Sequence, residues 1–215
     1  LTGLLPLQRG TVEIAGTPIG KAGRRIFNMV GVSFEQPNVY KKLTGLENLE
    51  FFRGLYDVPT ADPRELLKLM GLADAANKRA GDYSKGMLQR LVLARSLLNN
   101  PRIWFLDEPT GGLDPATAKE VRQLIRNKQR EGVTVFLTTH DMHVADELCD
   151  RVAFLDAGRI VALDSPRNLK LRFGERLVVV EHRVDGRVDV ERLSLSNELD
   201  RRRLYQLIEE GKAET

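Results

Sequence analysis

The hydrophobic positions of this chain change period along its length. "TVEIAGTP" and "NMVGVSFE" are short β-branched or apolar runs stopped by Gly, Pro or polar residues, and each predicts a strand. From Thr44 the period turns helical. Leu46, Leu49, Phe52 and Leu55 recur every third residue and mark an amphipathic face. "ADPRELLKLMGL" carries a helix start, with Asp62 as N-cap, Pro63 first in the helix and Glu65 three residues after the cap; Gly71 stops it. "SKGMLQRLVLARSLLNNP" predicts a helix capped by Ser84 and ended before Pro101. "RIWFL" reads as a strand. "DPATAKEVRQLIRNKQREG" reads as a helix capped by Asp114, opened by Pro115 and stopped by Gly132. "VTVFLTTH" predicts a buried strand, "DMHVADELC" a short helix, and "RVAFLDAGRIVALD" a hairpin around Ala157-Gly158.

Strands that alternate with helices, and are apolar on both faces, imply an α/β fold: a mostly parallel sheet with helices on each side. The tail differs. "RLVVVEHRV" and "RVDVERLSL" flank Asp185-Gly186, a strong hairpin signal, and a charged helix follows from about Asn197 to Glu210. Residues 169–215 therefore read as a small α+β appendage to a domain over residues 1–168.

Composition narrows the class. A chain of 215 residues makes one large domain, or one domain and a small addition. No window approaches the ~18–20 uninterrupted apolar residues of a membrane span. Net charge is +3, with acids and bases interleaved, which describes a mixed solvated surface rather than a nucleic-acid patch. The single cysteine, Cys149, makes no internal disulfide and suits a reducing compartment.

The chemistry gathers around "IWFLDEPTGGLDP", Ile103 to Pro115. A strand that buries Ile-Trp-Phe-Leu ends on two carboxylates. In a parallel α/β sheet, ligands collect beyond the carboxyl ends of the strands, so Asp107 and Glu108 are delivered where a cation and phosphates can meet them. Asp107 suits Mg²⁺, directly or through water, because that ion prefers oxygen ligands and keeps several waters. Glu108, one residue further out, can take a proton from an attacking water. Solvated acids at a turn would look the same were it not for the "PTGGLD" that follows.

"WFLDEPTGGLDP" closely resembles the Walker B motif and D-loop of ATP-binding-cassette (ABC) ATPases. "YSKGMLQR", Tyr83 to Arg90, resembles that family's signature motif. "VFLTTHD" ends in a histidine placed like its switch histidine, and "VGVSFEQPNVYKKLTGLENL" resembles its Q-loop and the start of its helical subdomain, here about 44–98. The resemblance covers roughly residues 1–168. It implies a P-loop NTPase-like fold, ATP and Mg²⁺ as ligands, and two domains that sandwich two nucleotides. Ser84 and the Gly86 backbone then offer hydrogen bonds to a γ-phosphate held by the other domain, as a helix N-terminus is suited to do. His140 contacts the γ-phosphate and orients water and Glu108. Asp114 caps its helix and serves as a D-loop contact between subunits. Gln36 joins Asp107 at the magnesium. His143 and His182 match no motif.

The chain departs from the family pattern in three places. The signature has Lys85 and Met87 where Gly and Gln are usual. Counting back from Leu43-Thr44 puts Glu35 at the Q-loop glutamine position; one residue of loop slack restores Gln36, the preferred assignment. No P-loop, G-x-x-x-x-G-K-[ST], is present. "GTPIGKA", Gly16 to Ala22, has its glycines too close and no hydroxyl, and reads as a turn between strands. "LTGLLPLQRGTVEIAG" resembles the segment after the phosphate-binding helix. The P-loop and the adenine-stacking aromatic are expected before Leu1, and residues 1–215 alone are expected to hydrolyse ATP negligibly.

The resemblance implies the ATP-binding subunit of an ABC transporter, exporter-like in its signature, docked through residues between Gln36 and Ser84 on separate membrane-spanning permease subunits at the cytoplasmic face. It implies no nucleic-acid partner. The alternatives are a soluble ABC ATPase acting on ribosomes or DNA, and a non-hydrolysing fragment.

Overall fold

In the computed structural model, residues 7–19, 23–174, 177–184 and 187–209 are described. The chain forms two compact units, Leu1–Val144 and Ala145–Thr215.

The first unit is built on three parallel strands, β3 (Val30–Ser33), β4 (Ile103–Asp107) and β5 (Thr134–Thr138), in the order β3-β4-β5. They follow a small hairpin, β1 (Glu13–Ile14) and β2 (Thr17–Pro18). "TVEIAGTP" is thus two short strands rather than the one expected. Ala15 and Gly16, at φ 49° and 73°, reverse the chain between them. The turn therefore lies at Ala15-Gly16 rather than over Gly16 to Ala22 as expected, because Thr17 and Pro18 pair back as β2; Gly20 to Ala22 lie outside the described residues, as do Leu1 to Pro6 of the segment expected to follow the P-loop.

Three helices come from the capping signals. In α1 (Gly45–Arg53), Thr44 and Glu47 form a reciprocal capping box. The helix ends at Gly54, so the apolar face stops at Phe52; Leu55 lies past the last turn and is exposed. Asp62 caps α2 (Pro63–Leu69), accepting from the N–H groups of Arg64 and Glu65. Ser84 caps α3 (Lys85–Ser96).

Helix α3 is fastened to the sheet. A β-carbon at Gly31 would lie 2.1 Å from the Ser96 carbonyl oxygen, so only glycine lets the helix come this close to β3. Asn99 donates to the carbonyls of Phe27 and Val30, and the fully buried Trp104 of β4 donates from Nε1 to Ser96 Oγ at 2.8 Å. Burial of Leu91, Leu93 and Leu98 contributes roughly 1.5–3 kcal/mol per side chain. Beyond β4, α4 (Pro115–Arg130) is capped by Asp114 and stopped at Gly132, φ 90°.

β5 departs from expectation. It was expected to be buried, yet its residues alternate between exposed and half-buried, with Phe136 50% exposed. The reason is topological: β5 ends the strand order and pairs only with β4 among the described residues.

The boundary between the units falls within α5 (Met142–Leu148). The second unit then has the hairpin β6 (Val152–Asp156) and β7 (Arg159–Asp164), turned by Ala157 and Gly158 in left-handed conformations. A helix not anticipated from sequence follows, α6 (Pro166–Phe173). Its signal was present: Ser165 accepts from the Asn168 N–H and Pro166 opens the helix. β8 (Leu177–Val184) and β9 (Arg187–Ser194) pair antiparallel, and Val180 and Leu193 pack with Leu207 of α7 (Glu198–Glu209). The Asp185-Gly186 turn and Glu210 lie outside the described residues.

Candidate functional site

Parallel pairing sends three loops off one edge of the sheet. Ser33 pairs with Leu106 and Asp107 with Thr138, so the segments after β3, β4 and β5 emerge together. They carry Glu35 and Gln36, Glu108, and Thr139 and His140.

Glu108 takes a sharp turn at this edge. Its φ is 44°, a left-handed conformation that costs a residue with a side chain on the order of 1–3 kcal/mol. Its N–H donates to the Thr138 carbonyl at 3.1 Å, and its own carbonyl accepts from the Gly111 N–H at 3.0 Å. The turn turns its side chain toward the loop after β5. There Oε1 accepts from the His140 backbone N–H at 2.9 Å and lies 2.8 Å from His140 Nδ1, while Oε2 accepts from Thr139 Oγ1 at 3.3 Å. Asp107 Oδ1 accepts from the Thr138 hydroxyl.

The Glu108 side chain is 19% exposed and that of His140 87%. Hydrogen bonding to Glu108, then its charge, raises the His140 pKa above the usual imidazole value, with Asp141 and Glu35 adding to the rise. The pair thus sets a carboxylate against a solvent-facing imidazole. Glu35 is close enough to bear on His140 electrostatically. Gln36 is exposed past the end of β3, and no hydrogen bond among the described residues ties it to Asp107. Glu35 thus offers a charge that reaches His140, and Gln36 an amide open to solvent.

The second group of candidate residues sits at the start of α3. Ser84 Oγ accepts from the Met87 N–H at 3.2 Å and is exposed. Gly86 faces the loop after β4: a β-carbon there would lie 3.5 Å from Leu113 Cδ2. One residue on, Asp114 Oδ1 accepts from the Thr117 N–H at 3.0 Å, and bonding to Thr117 holds its carboxyl below the usual range. Ser84, Gly86 and Asp114 thus share one stretch of surface. No hydrogen bond among the described residues joins them to Glu108 or His140.

Asp107 and Glu108 fit a hydrated cation with phosphate oxygens. Among the described residues no three carboxylate, imidazole or thiol groups converge as a protein-made cage. A magnesium ion at Asp107 would keep several waters beside few protein ligands, its ordinary preference. The threonine pair was visible in the sequence, but the functions of Thr138 and Thr139 were not. Both are hydroxyl donors to adjacent acids, a role that only the β4-β5 register reveals.

The family model for ABC transporters matches residues 1–111. The fluoroquinolones export ATP-binding protein of Mycobacterium tuberculosis is 53% identical over 186 residues, covering 86% of this chain and 62% of that protein. The daunorubicin resistance ATP-binding protein DrrA2 of Streptomyces coeruleorubidus is 38% identical over 185 residues, 84% of this chain and 58% of that one. The chain therefore spans about three fifths of the length of these curated relatives. Among solved structures, a dimeric post-hydrolysis state of an ATP-binding cassette bound to ADP and Pi superposes with a TM-score of 0.66 at 29% identity, covering 74% of this chain and 75% of that one. An ATP-binding subunit of an ABC transporter shares the fold with a TM-score of 0.72 at 24% identity, covering 80% of this chain and 74% of that one. With a P-loop NTPase-like α/β fold, the ordered motifs and these matches, the chain belongs to the ABC transporter family and carries its nucleotide-binding domain.

Proposed function

We propose that this chain works as the nucleotide-binding subunit of an ABC exporter, in which ATP hydrolysis drives separate membrane-spanning subunits. The domain extends over residues 1–168, with its helical subdomain at about 44–98 and an appendage at 169–215. The observation that carries the reading is the Glu108 carboxylate, gripped by Thr139 and His140 at the carboxyl edge of a parallel sheet. Glu108 acts as the base that accepts a proton from the attacking water. His140 orients Glu108 and presents its exposed ring to the γ-phosphate. Asp107 and Gln36 would hold Mg²⁺, which would neutralise phosphate charge.

Ser84 and Gly86 act on the nucleotide of a second ABC domain. What supports this is the exposure of Ser84 and the half-buried Gly86 at a capped helix start, with no hydrogen bond among the described residues to their own chain's Glu108. Asp114 meets the partner domain beside them. The membrane subunits dock on the segment between Gln36 and Ser84, where Tyr40 and Phe51 are half-exposed aromatics stacked edge to face. Arg95 supports that surface from beneath, lying over the Phe52 ring and donating to Asn38. The chain attaches peripherally at the cytoplasmic face through these membrane subunits; no helix among the described residues is long and apolar enough to cross a membrane. The substrates are drugs of the kind named for the relatives.

Ser84→Arg in the full-length protein tests the shared site. ATP-driven dimerisation, followed by light scattering, is expected to vanish while nucleotide affinity of the monomer stays within about twofold. A large loss of monomer affinity would instead place Ser84 in its own chain's site.

A further inference from the structure

We propose that Thr139 is a positioning residue for Glu108, fixing the carboxylate oxygen that takes the proton. The inference rests on reading Glu108 as the base. Oε1 is committed to His140, which approaches it through both its backbone N–H and Nδ1. Oε2 has one described partner, the Thr139 hydroxyl at 3.3 Å, and so keeps a lone pair for water.

Thr139 can donate in only one direction. Its Oγ1 already accepts from the Asp141 N–H at 3.0 Å, and a hydroxyl has a single proton, which is left for Glu108. Asp141 is itself held: Oδ1 accepts from the N–H groups of His143 at 2.8 Å and Val144 at 3.4 Å, in the first turn of α5. A continuous chain of bonds thus runs from α5 through Asp141 and Thr139 to Oε2. Without the hydroxyl, the carboxylate stays attached through Oε1 but can swing about it, since the terminal torsion of Glu is broad.

Thr139→Val, which keeps the branched shape, should lower kcat for Mg-ATP about tenfold in the full-length protein, a fraction of what misplacing a catalytic group can cost. KM for ATP should stay within about twofold, and Thr139→Ser should restore most of the rate. Melting curves of both variants establish that they are folded. If Val unfolds the protein, the less crowded Thr139→Ala takes its place. In a Glu108→Gln background, Thr139→Val should cause no further loss. An unchanged kcat, a loss confined to KM, or a full additional loss in the Gln background overturns the proposal. Near-normal turnover in Glu108→Gln alone would instead remove the reading of Glu108 as base, on which the proposal stands.

Discussion

The Lys85 side chain lies across Gly112, so close that a β-carbon at 112 would sit 2.7 Å from Nζ and 2.9 Å from Cε. The signature turn and the loop after Glu108 are therefore packed against each other through a residue that departs from the usual signature. Gly112 also has φ 68°, which a side chain adopts only at a cost.

Gly112→Ala should consequently destabilise the protein by about 1–2 kcal/mol, most of it from the backbone, because the end of a lysine can move aside. In denaturant unfolding, Lys85→Ala should relieve only the smaller, steric part. A double-mutant cycle in which Lys85→Ala abolishes the whole penalty would show that the φ argument is wrong.

Gly31→Ala should be far more damaging. The new methyl meets a backbone carbonyl, that of Ser96, and neither β3 nor α3 can yield without disturbing Trp104 and Asn99. A loss of about 3 kcal/mol or more is expected by thermal unfolding, at the upper end of overpacking costs. A change under about 1 kcal/mol would mean that α3 is not rigidly seated.

These two glycines show what was legible in advance and what was not. Helix starts were readable because a cap acts within four residues: Asp62, Ser84 and Asp114 each bond to the N–H two or three positions ahead. The parallel sheet and the acids that end β4 were likewise readable from strand patterns, whereas His140 stood out only through its resemblance to a family motif; the structure sets it against Glu108. The contact of Gly31 with Ser96 and that of Lys85 with Gly112 were not, because each joins distant segments. The exposure of β5 was missed for a related reason: "VTVFLTT" shows apolar character but not how many strands flank it. The role of Thr139 needed the register that sets it beside Glu108.

His140 should titrate above the ordinary imidazole value near 6.5, because its protonated ring bonds to the Glu108 carboxylate. The sign follows from linkage. A group whose folded pKa is raised stabilises the protein fully below its unfolded pKa, and that stabilisation fades as pH climbs through the folded pKa. Proton NMR of the His140 ring should show the elevated midpoint, and Glu108→Gln should lower it. A midpoint unaffected by that change would argue that the bond at 2.8 Å is not populated in solution.

The role of Glu108 is the centre of this account, and steady-state ATP turnover of Glu108→Gln in the full-length protein, read beside its oligomeric state, tests it most directly. The Gln side chain keeps the size but cannot take the proton, so turnover should fall by at least ~10², the scale of a lost general base. ATP should still bind and should hold the variant as a stable dimer, because closure proceeds without the step that reopens it. Turnover within a few fold of the unaltered protein, with no ATP-stabilised dimer, would contradict the assignment.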